Sequence, residues 1–400
     1  MQLPEAVKNI IETLEHAGFE AYAVGGCVRD TLLHVTPNDW DITTSARPEE
    51  VKKLFRRTID TGIAHGTVTV MDKSEGYEVT TFRIDGKYTD NRHPEKVEFT
   101  PSLSEDLRRR DFTVNAMAYS DKTGIVDLFG GEEDLKNGII RAVGNPEERF
   151  TEDALRIMRC VRFAAKLSFR MDDETHKAAK KLAPNVASIS VERIREELLK
   201  TIESKHPDYM DYLEDMGILA TVLPSYKATA AVAKENLFKV PADRVLRISA
   251  LLCKSGATVE ESLKNTRDFM ATLKFDNDTR DAVMHIIQFH TVPLKPEAKA
   301  LRHFMNACGK ESVERVLFFR ECLGEDLTAV RREIEGIRNR NECTCLKELA
   351  LTGRDLIAMG MKPGKEMGET LSALLLRVLD DPTLNTHENL HNLAKEFLVK

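Results

Sequence analysis

No apolar run in the 400 residues approaches the ~20 needed to cross a bilayer, which excludes a membrane-spanning class. Met1-Gln-Leu-Pro-Glu5 has no basic n-region leading into an apolar core, so the cytoplasm is the expected compartment. A disulfide framework is not suggested either. The seven cysteines, an odd number, are scattered at 27, 160, 253, 308, 322, 343 and 345. Cys343 and Cys345 are the only close pair, and no second pair or nearby histidine completes a zinc site. Net positive charge is missing too: the balance is −7, which argues against indiscriminate nucleic-acid binding. It leaves room for a partner that docks on local basic patches. There is no fixed-period repeat and no low-complexity linker.

What is present is a globular composition, 42% hydrophobic and 31% charged, over a length that implies about two to four domains. Val7, Ile10, Ile11 and Leu14 are spaced i, i+3, i+4, i+7 and predict one buried helix face. A strand is expected over Glu20–Val24, then a helix over Val28–Leu33 and a second strand over Asp39–Thr43. Pro48 should open a short helix. Gly66–Met71 and Tyr77–Arg83 alternate β-branched residues and predict a hairpin. Ser104 is expected to cap a helix through Asp106, Arg110 and Met117. After Arg141 the periodicity is helical almost throughout.

The stretch that organises the head is Gly25-Gly26-Cys-Val-Arg29-Asp30, followed by Asp39-Trp-Asp41-Ile42. Glycines at a turn into a helix let backbone N–H groups approach an anion, and Arg29 adds charge for a phosphate. Two aspartates at i and i+2 of a strand point to one face. Such a pair suits two magnesium ions that also bind substrate phosphates. Asp30 is expected to be a structural partner of Arg29 or of backbone.

The string Gly-Gly-x-Val-Arg-Asp-x-Leu-Leu with Asp-x-Asp-Ile resembles the signature of class II nucleotidyltransferases, the polymerase β-like group that holds CCA-adding tRNA nucleotidyltransferases and bacterial poly(A) polymerases. His34 is a departure, because that group commonly has glycine after Leu-Leu. Arg108-Arg-Arg110-Asp111-Phe-Thr-Val-Asn115-Ala resembles a second motif of the group, which implies that Arg110 contacts the nucleotide and that Asp111 lies near its ribose. On one helix the three arginines would splay over roughly 200° and could not share a phosphate. Phe112, Val114 and Met117 read as core. Glu152-Asp153-x-x-Arg156 resembles a third motif. At i, i+3 of a helix its Asp153 and Arg156 would otherwise be read as a salt bridge. As base readers, a carboxylate accepts from the exocyclic amine of cytosine or adenine, and a guanidinium donates to ring acceptors. Arg159 and Arg162 continue the row. Arg162 lies about 180° around the helix from Asp153, so they cannot all touch one base; the resemblance implies that they line the phosphate or primer side.

The polar loop Arg83–Pro94 resembles the flexible loop associated with the switch to the final A, and Glu78 on the strand before it is a candidate third carboxylate. Thr352–Gly368 resembles a C-terminal family motif. It reads as two helices joined by a Gly/Pro turn, with close approach at Gly364 and Gly368 and with Lys362 and Lys365 placed to meet phosphates.

The resemblance implies an α/β nucleotidyltransferase head with a mixed, polymerase β-like sheet, followed by an all-helical C-terminal region. The boundaries expected are head 1–140, neck 141–205, body 206–300 and tail 301–400. It implies template-independent addition of CCA to tRNA from CTP and ATP, with Mg2+ at Asp39 and Asp41. The nucleotide would be held by Gly26, Arg29, Arg110, Asp153, Arg156, Arg159 and Arg162. A homodimer is among the assemblies to expect, and no membrane partner is. A poly(A) polymerase, a CC-only enzyme or an RNA-binding module with a degenerate head are the alternatives. No histidine–aspartate metal pair of the phosphohydrolase kind marks the C-terminal half, so no second catalytic centre is expected.

Overall fold

The computed structural model describes residues 1–85, 97–222 and 230–398. The segment associated by resemblance with the final A lies mostly outside them. Two compact units are present: residues 1–227 with 272–274, and residues 228–271 with 275–400.

The first unit begins with α1 (Glu5–His16), whose Val7, Ile10, Ile11 and Leu14 are all buried, as their spacing requires. Each such side chain contributes about 1.5–3 kcal/mol of burial. Then come β1 (Ala21–Val24), α2 (Gly26–Leu32), β2 (Ile42–Thr44), α3 (Pro48–Leu54) and β3 (Thr58–Gly62). β4 (Thr67–Asp72) and β5 (Glu75–Thr81) form the expected hairpin, closed by a two-residue turn in which Lys73 takes φ 52°. β6 (Arg83–Asp85) pairs with β7 (Val97–Phe99). The head is completed by α4 (Leu103–Arg108), β8 (Met117–Ser120), β9 (Gly124–Asp127), α5 (Gly131–Asn137) and β10 (Ile139–Ile140).

The main sheet has seven strands in the order β3-β4-β5-β2-β1-β8-β9. It is mixed: β2 runs parallel to β5 and every other neighbouring pair is antiparallel. The α/β head and largely helical remainder match the class expected. Three local readings need correction. β2 starts at Ile42, so Asp39 and Asp41 lie on the approach to the strand, with Asp41 O accepting from Val24 N at 3.0 Å. Ser102, not Ser104, caps α4, which ends at Arg108, so Arg109 and Arg110 fall beyond regular helix. Met117 belongs to β8.

The stretch 141–205, expected as a neck, holds α6 (Pro146–Glu152), α7 (Leu155–Leu167), β11 (Arg170–Met171), α8 (Asp173–Leu182) and α9 (Val191–Ile202), within the same compact unit as the head. β11 pairs with β10 and is the only strand after residue 141 among the described residues. Asp153 takes extended backbone (φ −141°, ψ 103°) between α6 and α7. Asp153 and Arg156 therefore straddle a break and do not share one helix.

The second unit is helical. Its C-terminal core gathers Leu356, Leu374, Val378 and Leu390, and Arg302, 4% exposed, donates to Leu379 O and Asp380 O at the end of the Lys365–Asp380 helix. The helical pair around Pro363 forms as expected, but a Cβ on Gly364 or Gly368 would meet nothing within 4 Å. No close approach occurs there. All seven cysteines are free thiols.

Gly131 is a position where a side chain has no room: a Cβ would stand 2.4 Å from Thr113 O and 2.9 Å from Met117 Cγ. Gly131→Ala is expected to cost about 1–3 kcal/mol by overpacking. The fluorescence of Trp40, the only tryptophan, followed through urea unfolding would report it as a lower midpoint. An unchanged midpoint would mean that α5 slides away freely.

Candidate active site

The site is built on the end of β1. Gly25 follows Val24 with φ 81°, a value that L side chains rarely adopt, and its N–H donates to Met117 O of β8 at 3.1 Å. A Cβ here would lie 3.0 Å from Arg110 Nη1. Glycine thus serves twice: it turns the chain into α2 and lets a guanidinium lie over the turn. Gly26 opens α2, and Arg29 packs behind it, with Nη2 3.6 Å from where a Cβ would be.

Arg29 is 3% exposed. Its Nε donates to Asp30 Oδ1 at 2.8 Å and its Nη1 to Asn115 Oδ1 at 2.5 Å. Asp30 is therefore the structural partner its position suggested. Arg29 is a buried supporting charge beneath the turn and not an open clamp. At the far end of α2, His34 has φ 58°. This left-handed value gives the physical reason for glycine at the corresponding position in the resembling group.

Asp39 and Asp41 are exposed on the wall of a cleft of about 690 Å³, which Asn38, Trp40, Tyr77 and Glu78 also line. Loss of water on its protein side raises the Asp41 carboxyl above its usual range; Arg110 opposes this, and Glu78 and Asp39 add to it. Glu78 thus shares the cleft and the field of the pair. Among the described residues no three His, Cys, Asp or Glu side chains gather as a metal cage. Two carboxylates without a cage fit a hard divalent cation that keeps sites for water and substrate oxygens.

Arg110 is held in place by Asp106, which is fully buried. Asp106 Oδ2 accepts from Arg110 Nη2 at 3.3 Å, and its Oδ1 accepts from Arg109 Nε at 2.9 Å. Thr43 Oγ1 of β2 adds a hydrogen bond at 3.2 Å. Burial pushes the Asp106 carboxyl up, but Arg110 and Arg109 outweigh it and hold the group below the usual range. This anchor was not singled out from the sequence, although i, i+3 and i, i+4 arginines were a readable signal.

The neck meets the head through its arginines. Arg156 Nη2 donates to Arg109 O at 2.9 Å, while its Nη1 donates to Arg149 O and to Glu152 Oε2 at 2.6 Å. Arg159 Nε and Nη2 both donate to Asp111 Oδ2, at 2.9 and 2.6 Å. Asp111 thus has one oxygen taken up by Arg159 of α7. Three guanidiniums surround the Phe163 ring: Arg29 at 5.3 Å, Arg159 at 5.4 Å and Arg162 at 4.1 Å from its centroid. Arg162 is paired with Glu197 of α9 at 2.7 Å. Asp153 does not pair with Arg156. Its partner is Arg193 of α9, at 2.8 Å. Asn115, Phe163, Arg193 and Glu197 were given no role from the sequence, and for the last two no local spacing could have indicated one.

A head sheet carrying two carboxylates at a glycine turn, with arginines above it and a helical neck behind, defines a nucleotidyltransferase. Comparison with known proteins agrees. Residues 21–141 match the family described as poly A polymerase head domain, and 168–229 that described as probable RNA and SrmB-binding site of polymerase A. Residues 248–394 match tRNA nucleotidyltransferase domain 2. The chain is 39% identical over 408 residues to the CCA-adding enzyme of Leuconostoc mesenteroides, covering 99% of this chain and 98% of that one. It is 42% identical to that of Lactobacillus helveticus, covering 91% and 90%. The solved CCA-adding enzyme of Bacillus stearothermophilus in complex with CTP has a TM-score of 0.83 at 32% identity, covering 99% of this chain and 98% of that one. The chain belongs to the family of CCA-adding enzymes, which are tRNA nucleotidyltransferases.

The Asp111–Arg159 pair also makes a pH statement. Burial raises the Asp111 carboxyl, but Arg159 and the Asn115 amide more than reverse this and bring it down to about 2. A carboxyl depressed on folding stabilises the fold above its unfolded value near 3.9, and that stability is lost as pH falls toward the folded value. The contribution is about 2–3 kcal/mol. Between about pH 4 and pH 2 the native chain should lose this much stability relative to Asp111→Asn, read from urea midpoints by Trp40 fluorescence. Parallel curves for the two would remove the assignment.

Proposed function

We propose that this chain adds cytidine, cytidine and adenosine to the 3′ end of tRNA from CTP and ATP, releasing diphosphate, without a nucleic-acid template. The observation that carries the reading is the pair Asp39 and Asp41 beside Arg110 at the Gly25 turn, in a chain that aligns end to end with CCA-adding enzymes. The reaction joins the 3′-hydroxyl oxygen to the α-phosphorus of the nucleotide and breaks the bond to the β,γ-diphosphate.

Asp39 and Asp41 would hold divalent cations, for which we propose magnesium; bound there, they supply charge neutralisation and hydroxyl activation. The remaining work falls to the chain's own residues. Gly26 lets the polyphosphate approach the backbone closely, Arg110 offers its guanidinium above the turn, and Arg29 adds charge from beneath. Asp153 accepts from the amine that cytosine and adenine share and that uracil and the guanine Watson–Crick carbonyl position lack. Arg156 has further N–H donors for the base ring beyond those it spends on Arg149, Glu152 and Arg109. Arg159 and Arg162 set the field behind the nucleotide.

We assign head, neck, body and tail to 1–140, 141–205, 206–300 and 301–400, with the exposed Lys362 and Lys365 of the tail as phosphate contacts. A cytoplasmic site of action suits a chain in which no described helix is long and apolar enough to cross a membrane. A homodimer is part of the same reading.

Product length tests the proposal. A tRNA ending before CCA, incubated with CTP and ATP, should gain three nucleotides. Two would indicate a CC-adding activity, and a long A ladder a poly(A) polymerase. Asp39→Ala or Asp41→Ala should lower incorporation by at least a thousandfold while tRNA binding by filter retention stays near native. Surviving C addition would overturn the carboxylate assignment.

A further inference from the structure

Asp153 is held at two points. Its Oδ1 accepts from Leu155 N at 3.0 Å, which starts α7, and its Oδ2 accepts from Arg193 Nη2 at 2.8 Å. Arg193 stands 40 residues further along the chain, in the first turn of α9. Its Nη1 is buried with no hydrogen-bond partner. One turn on, Glu197 pairs with Arg162 at 2.7 Å. Arg193 and Glu197 are i, i+4 neighbours on one face of α9. That face presents a partner of the opposite charge to Asp153 and to Arg162.

The chemistry of Asp153 makes this contact consequential. A carboxylate has about four lone-pair sites, and two are occupied here. Each oxygen keeps one for a ligand. To separate amine-bearing bases from carbonyl-bearing ones, the group must stay ionised and stay aimed. A protonated carboxyl donates as well as accepts, and a rotated carboxylate no longer meets the amine; either change would weaken discrimination against uracil and guanine. Leu155 N–H fixes Oδ1, but it supplies no charge and leaves Oδ2 free to swing. Arg193 supplies both the charge and the second point of fixation.

We infer that Arg193 is a positioning residue for base selection, acting through Asp153 and not by touching the nucleotide's reacting atoms. The inference rests on the reading that Asp153 meets the base. Removing Arg193 unpins the carboxylate, so selectivity falls before catalysis does.

The test is single-nucleotide incorporation into tRNA by Arg193→Ala and Arg193→Lys, with each of CTP, ATP, UTP and GTP. Arg193→Ala should raise the KM for CTP and ATP about tenfold, the value of one charge-assisted hydrogen bond. It should also raise UTP incorporation relative to CTP by a similar factor, with the smaller effect on kcat. Arg193→Lys keeps a charge within reach and should recover most of the selectivity. Should Arg193→Ala fail to fold, Arg193→Gln, which keeps a donor without charge, decides by the same ratios. An equal loss with all four nucleotides, or Arg193→Lys no better than alanine, would make the contact a helix-packing strut and overturn the inference. Asp153→Asn separates the two levels. If it leaves selection unchanged, the base-reading role of Asp153 itself falls. If it relaxes selection while the Arg193 variants do not, only the positioning role falls.

Discussion

Three guanidiniums around one phenyl ring are the constraint on which the rest of the catalytic unit depends. Arg29, Arg159 and Arg162 lie within 5.4 Å of the centroid of Phe163, which is 6% exposed. Like charges this close in a partly dry interior repel strongly unless each is paired. Each is paired, and the partners come from different parts of the chain: Asp30 on α2, Asp111 beyond α4 and Glu197 on α9. Desolvation holds Arg162 below the usual guanidinium range, with Glu197 opposing it. The ring gives the cations a polarisable face to share, and it packs edge-on against Phe112 of the head. The head and the helices that follow it are thereby joined by a cluster in which each buried cation is matched by a carboxylate.

A second dependence runs through Asp106. Its buried carboxylate collects Arg109, Arg110 and Thr43, and so ties the end of α4 to β2. Because Arg110 is anchored from below, it can lie over Gly25 without collapsing into the cleft. Because Arg109 is turned the same way, its carbonyl faces Arg156 of the neck. One aspartate therefore sets both the cation at the glycine turn and the carbonyl that receives Arg156. The exposed carboxylates Asp39 and Asp41 need no comparable support, since the backbone of Asp41 is already bonded to Val24 at the strand end.

Much of this was written locally enough to be read. The i, i+3, i+4, i+7 face of α1, the β-branched hairpin and the double glycine act through neighbours a few residues apart, and each formed where the pattern placed it. Asp39 and Asp41 were singled out together with the double glycine on the expectation of a strand; the strand begins only after them, and both line one cleft. The break at Asp153 was missed because no glycine or proline marks it. An aspartate two residues before an apolar helix was nevertheless a usable cap signal. Phe163 was given no role in the sequence, and although Arg159 and Arg162 are its helix neighbours, Arg29 reaches its ring only through the tertiary fold. The pairing of Asp153 with Arg193 had no sequence signal, since nothing in a 40-residue separation favours one arginine over another. His34 looked irregular in the sequence and is explained by its backbone conformation.

The discontinuity between α6 and α7 makes the neck a jointed linkage. Arg156 closes the joint: from the second helix it grips the carbonyl of Arg149 and the carboxylate of Glu152 on the first. Arg149 grips Glu152 as well. The guanidinium that would meet a base is thus also the bolt that sets the angle between two rods. Any ligand pulling on that side chain loads the hinge, and any strain on the hinge is felt at the ligand.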